Sequence, residues 1–281
     1  RLDLNVPLKN GIITDDTRIV KILPTLKFLI KNNSKIIIIS HIGRPKGEWN
    51  DIFSMKPVCE YINKKINIQA KLIKKNIFQL KKEQLFLNSE DQVLFLENIR
   101  FYKNEEENDM NFSKHLASLG DLFINDAFSC SHRAHASISE ITKYIPSYAG
   151  IQFEAEVDAL EKVTKNIKKP ITCIIGGSKI STKISIIKNL IPKFDNIIIV
   201  GGMANNLIKY KGYSIGKSIQ ENNCETSIDD IFKKSKSYPC SIILPEDVAV
   251  GKTMDDNAKI KELNQIENDD IILDIGPKTI N

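Results

Sequence analysis

The sequence of 281 residues has no apolar run long enough to cross a membrane. Its longest runs, such as Ile36-Ile37-Ile38-Ile39 and Ile197-Ile198-Ile199-Val200, fall far short of the roughly twenty residues that a spanning helix needs. It has no C-x-x-C pair. Its five cysteines, Cys59, Cys130, Cys173, Cys224 and Cys240, are scattered and odd in number, which argues against a disulfide framework and points to a reducing, cytoplasmic compartment. Histidine is scarce. His132 and His135 stand three apart with no cysteine or carboxylate to complete a tetrahedral set, so no metal site is expected on them. Charge is not blocked: 40 Lys+Arg against 35 Asp+Glu give +5, with the lysines scattered on solvated helix faces. A nucleic-acid partner is therefore not expected. No basic-then-apolar leader opens the sequence, and its first residue is Arg1 rather than Met, so a start further upstream is expected.

What is present is one repeating pattern. A short β-branched or aromatic run ends in a loop of Gly, Arg, His, Asn, Asp or Lys, and a helical stretch follows. The runs are 35–40, 93–96, 121–125, 171–175, 196–200, 241–244 and 271–274. They are nearly continuously apolar, as expected of parallel strands buried on both faces. Residues 18–30 place Ile19, Ile22, Leu23, Leu26, Leu29 and Ile30 at helical spacing, with Pro24 predicted to kink the helix or start its second half. Residues 112–119 read as a helix stopped by Gly120. Residues 144–150 read as a connector. Residues 152–165 read as a helix with Phe153, Val157, Leu160 and Val163 on one face. The pattern predicts an α/β chain of two doubly wound, Rossmann-like parallel-sheet domains. They would cover residues 1–150 and 170–281, joined by a hinge helix at 151–169, with the second domain incomplete.

In open parallel sheets, ligands bind beyond the carboxyl ends of the strands. In the first half those ends carry forked cations. Arg1-Leu2-Asp3-Leu4-Asn5-Val6-Pro7 and Arg18 are joined by Ser40-His41-Ile42-Gly43-Arg44-Pro45, by Glu97-Asn98-Ile99-Arg100-Phe101, and by Asn125-Asp126-Ala127-Phe128 with His132-Arg133-Ala134-His135. Arginine grips phosphate or carboxylate with two parallel N–H donors, so this set suits a small polyanion. His115 reads as an ordinary helix residue.

In the second half, Gly176-Gly177-Ser178-Lys179-Ile180-Ser181-Thr182-Lys183 runs from a strand through a glycine turn into a predicted helix. Lys179 and Lys183 would share one helix face beside free N-terminal N–H groups. The spacing of a Walker A loop is absent. Val200-Gly201-Gly202 ends the neighbouring strand. An anion on arginines and a nucleotide-like phosphate on Gly and Lys suit phosphoryl transfer, which is mostly positioning and charge stabilisation. No Ser-His-Asp or Cys-His set offers a covalent nucleophile.

Together with Leu273-Asp274-Ile275-Gly276-Pro277, these segments resemble the phosphoglycerate kinase family in order and spacing over essentially the whole chain. The resemblance implies reversible phosphoryl transfer between 1,3-bisphosphoglycerate and ADP, giving 3-phosphoglycerate and ATP. It implies that Asp3, Leu4 and Asn5 hold the glycerate hydroxyl and carboxyl region. His41, Ile42, Gly43 and Arg44, with Arg100 and Arg133, would cradle the 3-phosphate. Arg18 would reach the reacting carboxyl and the phosphoryl in flight, and Lys179 would neutralise that phosphoryl from the nucleotide side. Lys183 would bind nucleotide phosphate, and Gly177, Gly201 and Gly202 would line the nucleotide cleft. The implied partners are these small molecules and Mg2+ with the nucleotide, on a monomer without membrane or nucleic acid.

The sequence departs from the family at Ser129-Cys130-Ser131, where Gly-Thr-Ala is usual, and at Val200-Gly201-Gly202, where three glycines are usual. The family's Trp-Asn-Gly-Pro stretch and Gly-Gly-Gly-Asp-Thr loop are not in the sequence. The magnesium ligand is expected in such a C-terminal part, and the chain reads as a piece of the enzyme. The competing readings are a non-catalytic anion-binding protein and a small-molecule kinase with another acceptor.

Overall fold

A computed structural model of the chain describes residues 1–66, 69–88 and 91–281. It divides into two compact units, Arg1–Leu160 and Glu161–Asn281.

The first unit is built on parallel strands. Val93–Leu96 lies between Ile36–Ile38 and Ala70–Ile73 and is parallel to both. All four of its residues are buried. Side chains alternate across a strand, so Val93 and Phe95 enter one core while Leu94 and Leu96 enter another. The first core takes the buried faces of the helices Thr17–Lys31 and Lys56–Ile66. The second takes Phe112 and Leu116 of the helix Met110–Ser118. Helices thus cover both faces, as a doubly wound sheet requires. Thr17–Lys31 runs unbroken through Pro24. Asp109 starts Met110–Ser118 by accepting from the Phe112 amide at 2.7 Å.

A second parallel pair, Phe123–Asn125 with Ser147–Ala149, replaces the connector expected at 144–150. Its polar and aromatic composition hides a strand that is exposed throughout. The chain at Arg1 and Leu2 ties to both groups of strands. The Leu2 amide donates to the Ile39 carbonyl, and the Asp126 amide donates to the Arg1 carbonyl at 2.8 Å. An apolar cavity of about 540 Å³ beside it is lined by Ile36, Ile38, Leu116, Phe123 and Ile141, among others.

In the second unit, Asn196–Val200 lies between Thr172–Gly176 and Ser241–Ile243, again all parallel. One face packs on Met203, Leu207, Ile228 and Ile231 from the helices Gly202–Tyr210 and Glu225–Lys236. The other face is not covered as expected. Thr172–Gly176 alternates between exposed and half-buried, and Ile174 is 69% exposed. The run at 271–274 is a correction too. Ile271–Ile275 belongs to a separate antiparallel sheet, with Asp247–Gly251 between it and Lys259–Glu262. A short apolar run looks the same in either pairing, and only the partner decides. The helix Ile151–Thr164 forms, but Val157, Leu160 and Val163 on its expected buried face are exposed.

Candidate active site

In the first unit, the loops after the strands are locked by buried polar side chains. The Ser40 hydroxyl donates to the Leu2 carbonyl at 2.7 Å and accepts from the Leu4 amide at 3.2 Å. Glu97, 1% exposed, accepts from the Met55 amide at 2.6 Å and the Ser54 hydroxyl at 2.8 Å. The Asn98 amide donates to the carbonyls of Ile42 and Phe53, each at 2.8 Å, and its oxygen accepts from the Arg100 amide. Asn5 accepts from the Gly43 amide at 2.8 Å. Gly43 sits at φ +62, and a Cβ there would lie 2.4 Å from the Phe53 ring, so only glycine fits. Leu4 and Ile42 are buried in the core, so their side chains cannot touch a ligand and only their main chain is available.

These locks gather cations. Arg100 is 3% exposed. Its Nη1 donates to the Gly43 carbonyl at 3.1 Å, and its Nε lies 3.5 Å from Glu106. Among the described residues its Nε and Nη2 have no hydrogen-bond partner, although both are buried. Burial pushes the Arg100 pKa down, Glu106 opposes this, and Arg133 and Arg1 add to it. His41 is buried as well, its Nδ1 3.0 Å from Arg1 Nη2. Burial first, and then the charges of Arg1, Arg100 and Arg133, push its pKa down to about 2, so the ring is neutral. Arg133 is half-buried and donates to His132 at 3.3 Å. Arg44 is exposed on the same loop as Gly43. Buried donors without acceptors among like charges are costly, and an anion would satisfy them.

Arg18, at the start of Thr17–Lys31, forms an ion pair with Asp3, its Nη1 2.6 Å from Oδ1. Ser129 also donates to Asp3. These residues and Lys21, Phe128, Gln152 and Glu156 line a cleft of about 240 Å³. Ser129 was visible in the sequence only as a departure from the family loop; its contact with Asp3 spans 126 residues of chain.

In the second unit, three of the expected glycines meet. Gly176 pairs with Val200, so Gly177 and Gly201 follow adjacent strand ends. The Met203 amide donates to the Gly177 carbonyl at 2.7 Å. Gly201 has φ +68, and a Cβ at Gly202 would lie 2.8 Å from Ile219 and 3.3 Å from Ser178 Cα. The two lysines do not behave as expected. The helix starts only at Ile184 and Lys183 is its N-cap, so Lys179 lies in the loop and shares no helix face with it. The Ser181 amide donates to Glu221 at 2.9 Å, as does its hydroxyl, so this side chain takes up donors that the sequence left free. Lys179 is exposed and Lys183 half-buried.

The residues present do not fit a magnesium ion. Among the described residues, the carboxylates close enough to share a cation are Glu267, Asp269 and Asp270. Lys252 already touches all three, at 2.9, 2.6 and 2.9 Å, and Lys261 reaches Asp270 at 2.8 Å. That cluster is a closed ion-pair network.

The sequence model of the phosphoglycerate kinase family matches residues 1–281. The phosphoglycerate kinase of Wolbachia pipientis subsp. Culex pipiens (strain wPip) is 45% identical over 283 residues, covering 100% of this chain and 71% of the relative. That of Dictyoglomus turgidum is 43% identical over 282 residues, with coverages of 100% and 71%. The solved phosphoglycerate kinase of Coxiella burnetii superposes with a TM-score of 0.83 at 38% identity, over 99% of this chain and 71% of that one.

Proposed function

The chain belongs to the phosphoglycerate kinase family, phosphotransferases of glycolysis, and from that premise we propose how its residues divide the reaction. The first unit takes 3-phosphoglycerate or 1,3-bisphosphoglycerate. His41, Arg44, Arg100 and Arg133 bind the 3-phosphate. Asp3 and Asn5, with the main chain of Leu4, Ile42 and Gly43, hold the glycerate. The observation that carries this reading is Arg100, buried beside Arg133 and Arg1, with Nη2 making no hydrogen bond among the described residues and Nε left with an ion-pair contact to Glu106. A phosphate offers the oxygens that these donors lack.

Arg18 acts on the carboxyl and on the phosphoryl in transit. In the direction of acyl phosphate formation, the nucleophile is a carboxylate that is ionised at neutral pH, so no general base is required. Its pairing with Asp3 holds the guanidinium ready at the cleft. The second unit takes ADP or ATP. Gly177 and Gly201 follow adjacent strand ends where a nucleotide can approach the main chain, Gly202 lets Ile219 and Ser178 pack closely beside them, and Lys179 and Lys183 bring positive charge to the nucleotide phosphates. Mg2+ accompanies the nucleotide in this reading, held by groups other than those described. Residues 151–169 serve as the connecting hinge. The compartment is the cytoplasm and the active form a monomer.

The test is a calorimetric titration of 3-phosphoglycerate into the chain, with circular dichroism on the same sample. Saturable binding is expected, weakened at least tenfold in Arg133→Ala and Arg44→Ala by loss of charge-assisted hydrogen bonds. A folded chain that binds no 3-phosphoglycerate would sink the assignment.

A further inference from the structure

Arg1 is the cation beside His41, yet it cannot itself reach a ligand. Its side chain is wholly buried and its donors are engaged. Nε donates to the Ser137 hydroxyl at 2.9 Å, Nη1 to the Leu2 carbonyl at 2.8 Å, and Nη2 lies 3.0 Å from His41 Nδ1. A guanidinium has no acceptor, so at that contact Nδ1 must accept. A neutral imidazole carries one ring proton, which is then on Nε2. No described residue hydrogen-bonds that nitrogen. The opposite tautomer would set one N–H against another at Arg1 and present a lone pair at Nε2, which repels phosphate oxygen.

Arg1 is held in turn by Glu105, whose side chain is also wholly buried. Glu105 accepts from the Ser137 amide at 2.9 Å and from the Ser137 hydroxyl at 2.7 Å, and Oε1 lies 4.0 Å from Arg1 Nη2. The Ser137 hydroxyl has one proton. Giving it to Glu105 leaves the oxygen to accept from Arg1 Nε, so the relay has one direction. The charges around His41 are Arg1, Arg100 and Arg133, with the ring of His135; Glu105 lies 3.8 Å from His135 and Glu106 beside Arg100.

We propose that Arg1 and Glu105 are positioning residues for the phosphate site. Arg1 fixes His41 as the Nε2–H donor, and Glu105, through Ser137 and its own charge, fixes Arg1. The inference rests on reading His41, Arg100 and Arg133 as that site. Its test is a proton–nitrogen spectrum of the histidine rings in the full chain labelled with 15N-histidine, assigned with His41→Gln. The wild type is expected to show His41 protonated on Nε2 and unprotonated on Nδ1 throughout pH 5.5–8, with Nε2 the nitrogen most shifted by 3-phosphoglycerate.

Arg1→Met is expected to mix the tautomers and to weaken 3-phosphoglycerate binding about tenfold, the loss of one hydrogen bond to a charged group. Arg1→Lys, which keeps a cationic donor, is expected to restore the Nε2–H form and most of the affinity. Glu105→Gln should act in the same direction as Arg1→Met, but less. A wild-type His41 protonated on Nδ1, or titrating like a free histidine, overturns the inference even where a variant fails to fold. Tautomer mixing in Arg1→Met with unchanged affinity overturns the positioning role alone. A fixed Nε2–H tautomer in a folded wild type that binds no 3-phosphoglycerate overturns the phosphate-site reading instead.

Discussion

Arg100, a residue proposed to bind the substrate phosphate, works against the fold that holds it. Among the described residues two of its buried nitrogens make no hydrogen bond, Nε having only an ion-pair contact with Glu106, and a buried donor left unsatisfied costs about 1–3 kcal/mol. Arg100→Met is therefore expected to leave the urea midpoint unchanged or raised while 3-phosphoglycerate affinity falls at least tenfold. A clear drop in midpoint would mean that the guanidinium is satisfied after all. His41 sets a pH dependence with a definite sign. Its folded pKa, about 2, lies below its ordinary 6.5, so between those values the unfolded chain binds a proton that the folded chain does not. The stability is whole above about pH 6.5 and declines as the pH falls, by roughly 1.4 kcal/mol per pH unit well below that value. His41→Gln should flatten the denaturation-against-pH curve by that one proton; an unaltered slope would contradict a buried neutral ring. In steady-state kinetics, Arg18→Ala is expected to lower kcat roughly a hundredfold, as loss of a charge-stabilising donor does. Arg44→Ala should mainly raise KM. Equal effects on both parameters would end that division of labour.

At the scale of elements, the start of Ile151–Thr164 depends on one carboxylate. Asp126, 1% exposed, accepts from the Thr25 hydroxyl at 2.6 Å and from the Phe153 amide at 2.8 Å. The same Thr25 oxygen accepts from the Ile151 amide at 3.0 Å. A Cβ on Gly150 would lie 2.3 Å from the Asp126 carboxyl, which is why glycine precedes this helix. Asp126→Ala strands the Thr25 hydroxyl and a helix N-terminal amide, and is expected to cost about 2–3 kcal/mol in chemical denaturation. Thr25→Val should cost less than that, and equal losses would refute the capping role. Helix periodicity made Thr17–Lys31 and Met110–Ser118 legible because one apolar stripe meets one core. It failed for Ile151–Thr164, whose apolar stripe is exposed, because periodicity says where apolar residues lie and not whether anything covers them. It also missed the strands Ala70–Ile73 and Lys259–Glu262, whose lysines interrupt the apolar pattern while the backbone still pairs.

Across the whole molecule, each compact unit has cores of its own, and the sole tryptophan reports on the first. Trp49 donates to Asp51 at 3.2 Å and its ring lies 4.7 Å from that of Phe101, the residue after Arg100. With 3-phosphoglycerate at a hundred times its dissociation constant, unfolding followed by Trp49 fluorescence should be stabilised by about 2.7 kcal/mol. Absence of that shift would place the ligand outside the first unit.

The sequence by itself determined the alternation of strands and helices, the loops that carry Arg, His, Gly and Lys, and membership of the family. Each of these rests on local spacing and residue type, which a chain carries into any fold. Only the tertiary structure decided that Ile271–Ile275 pairs antiparallel, that Lys179 stands off the helix, that Ser129 meets Asp3, and that Arg1 and Glu105 lie behind His41. Those outcomes depend on contacts between residues far apart in the chain. Burial then sets which charges stay unpaired and keeps the His41 ring neutral, and burial is a property of the packed molecule rather than of any segment.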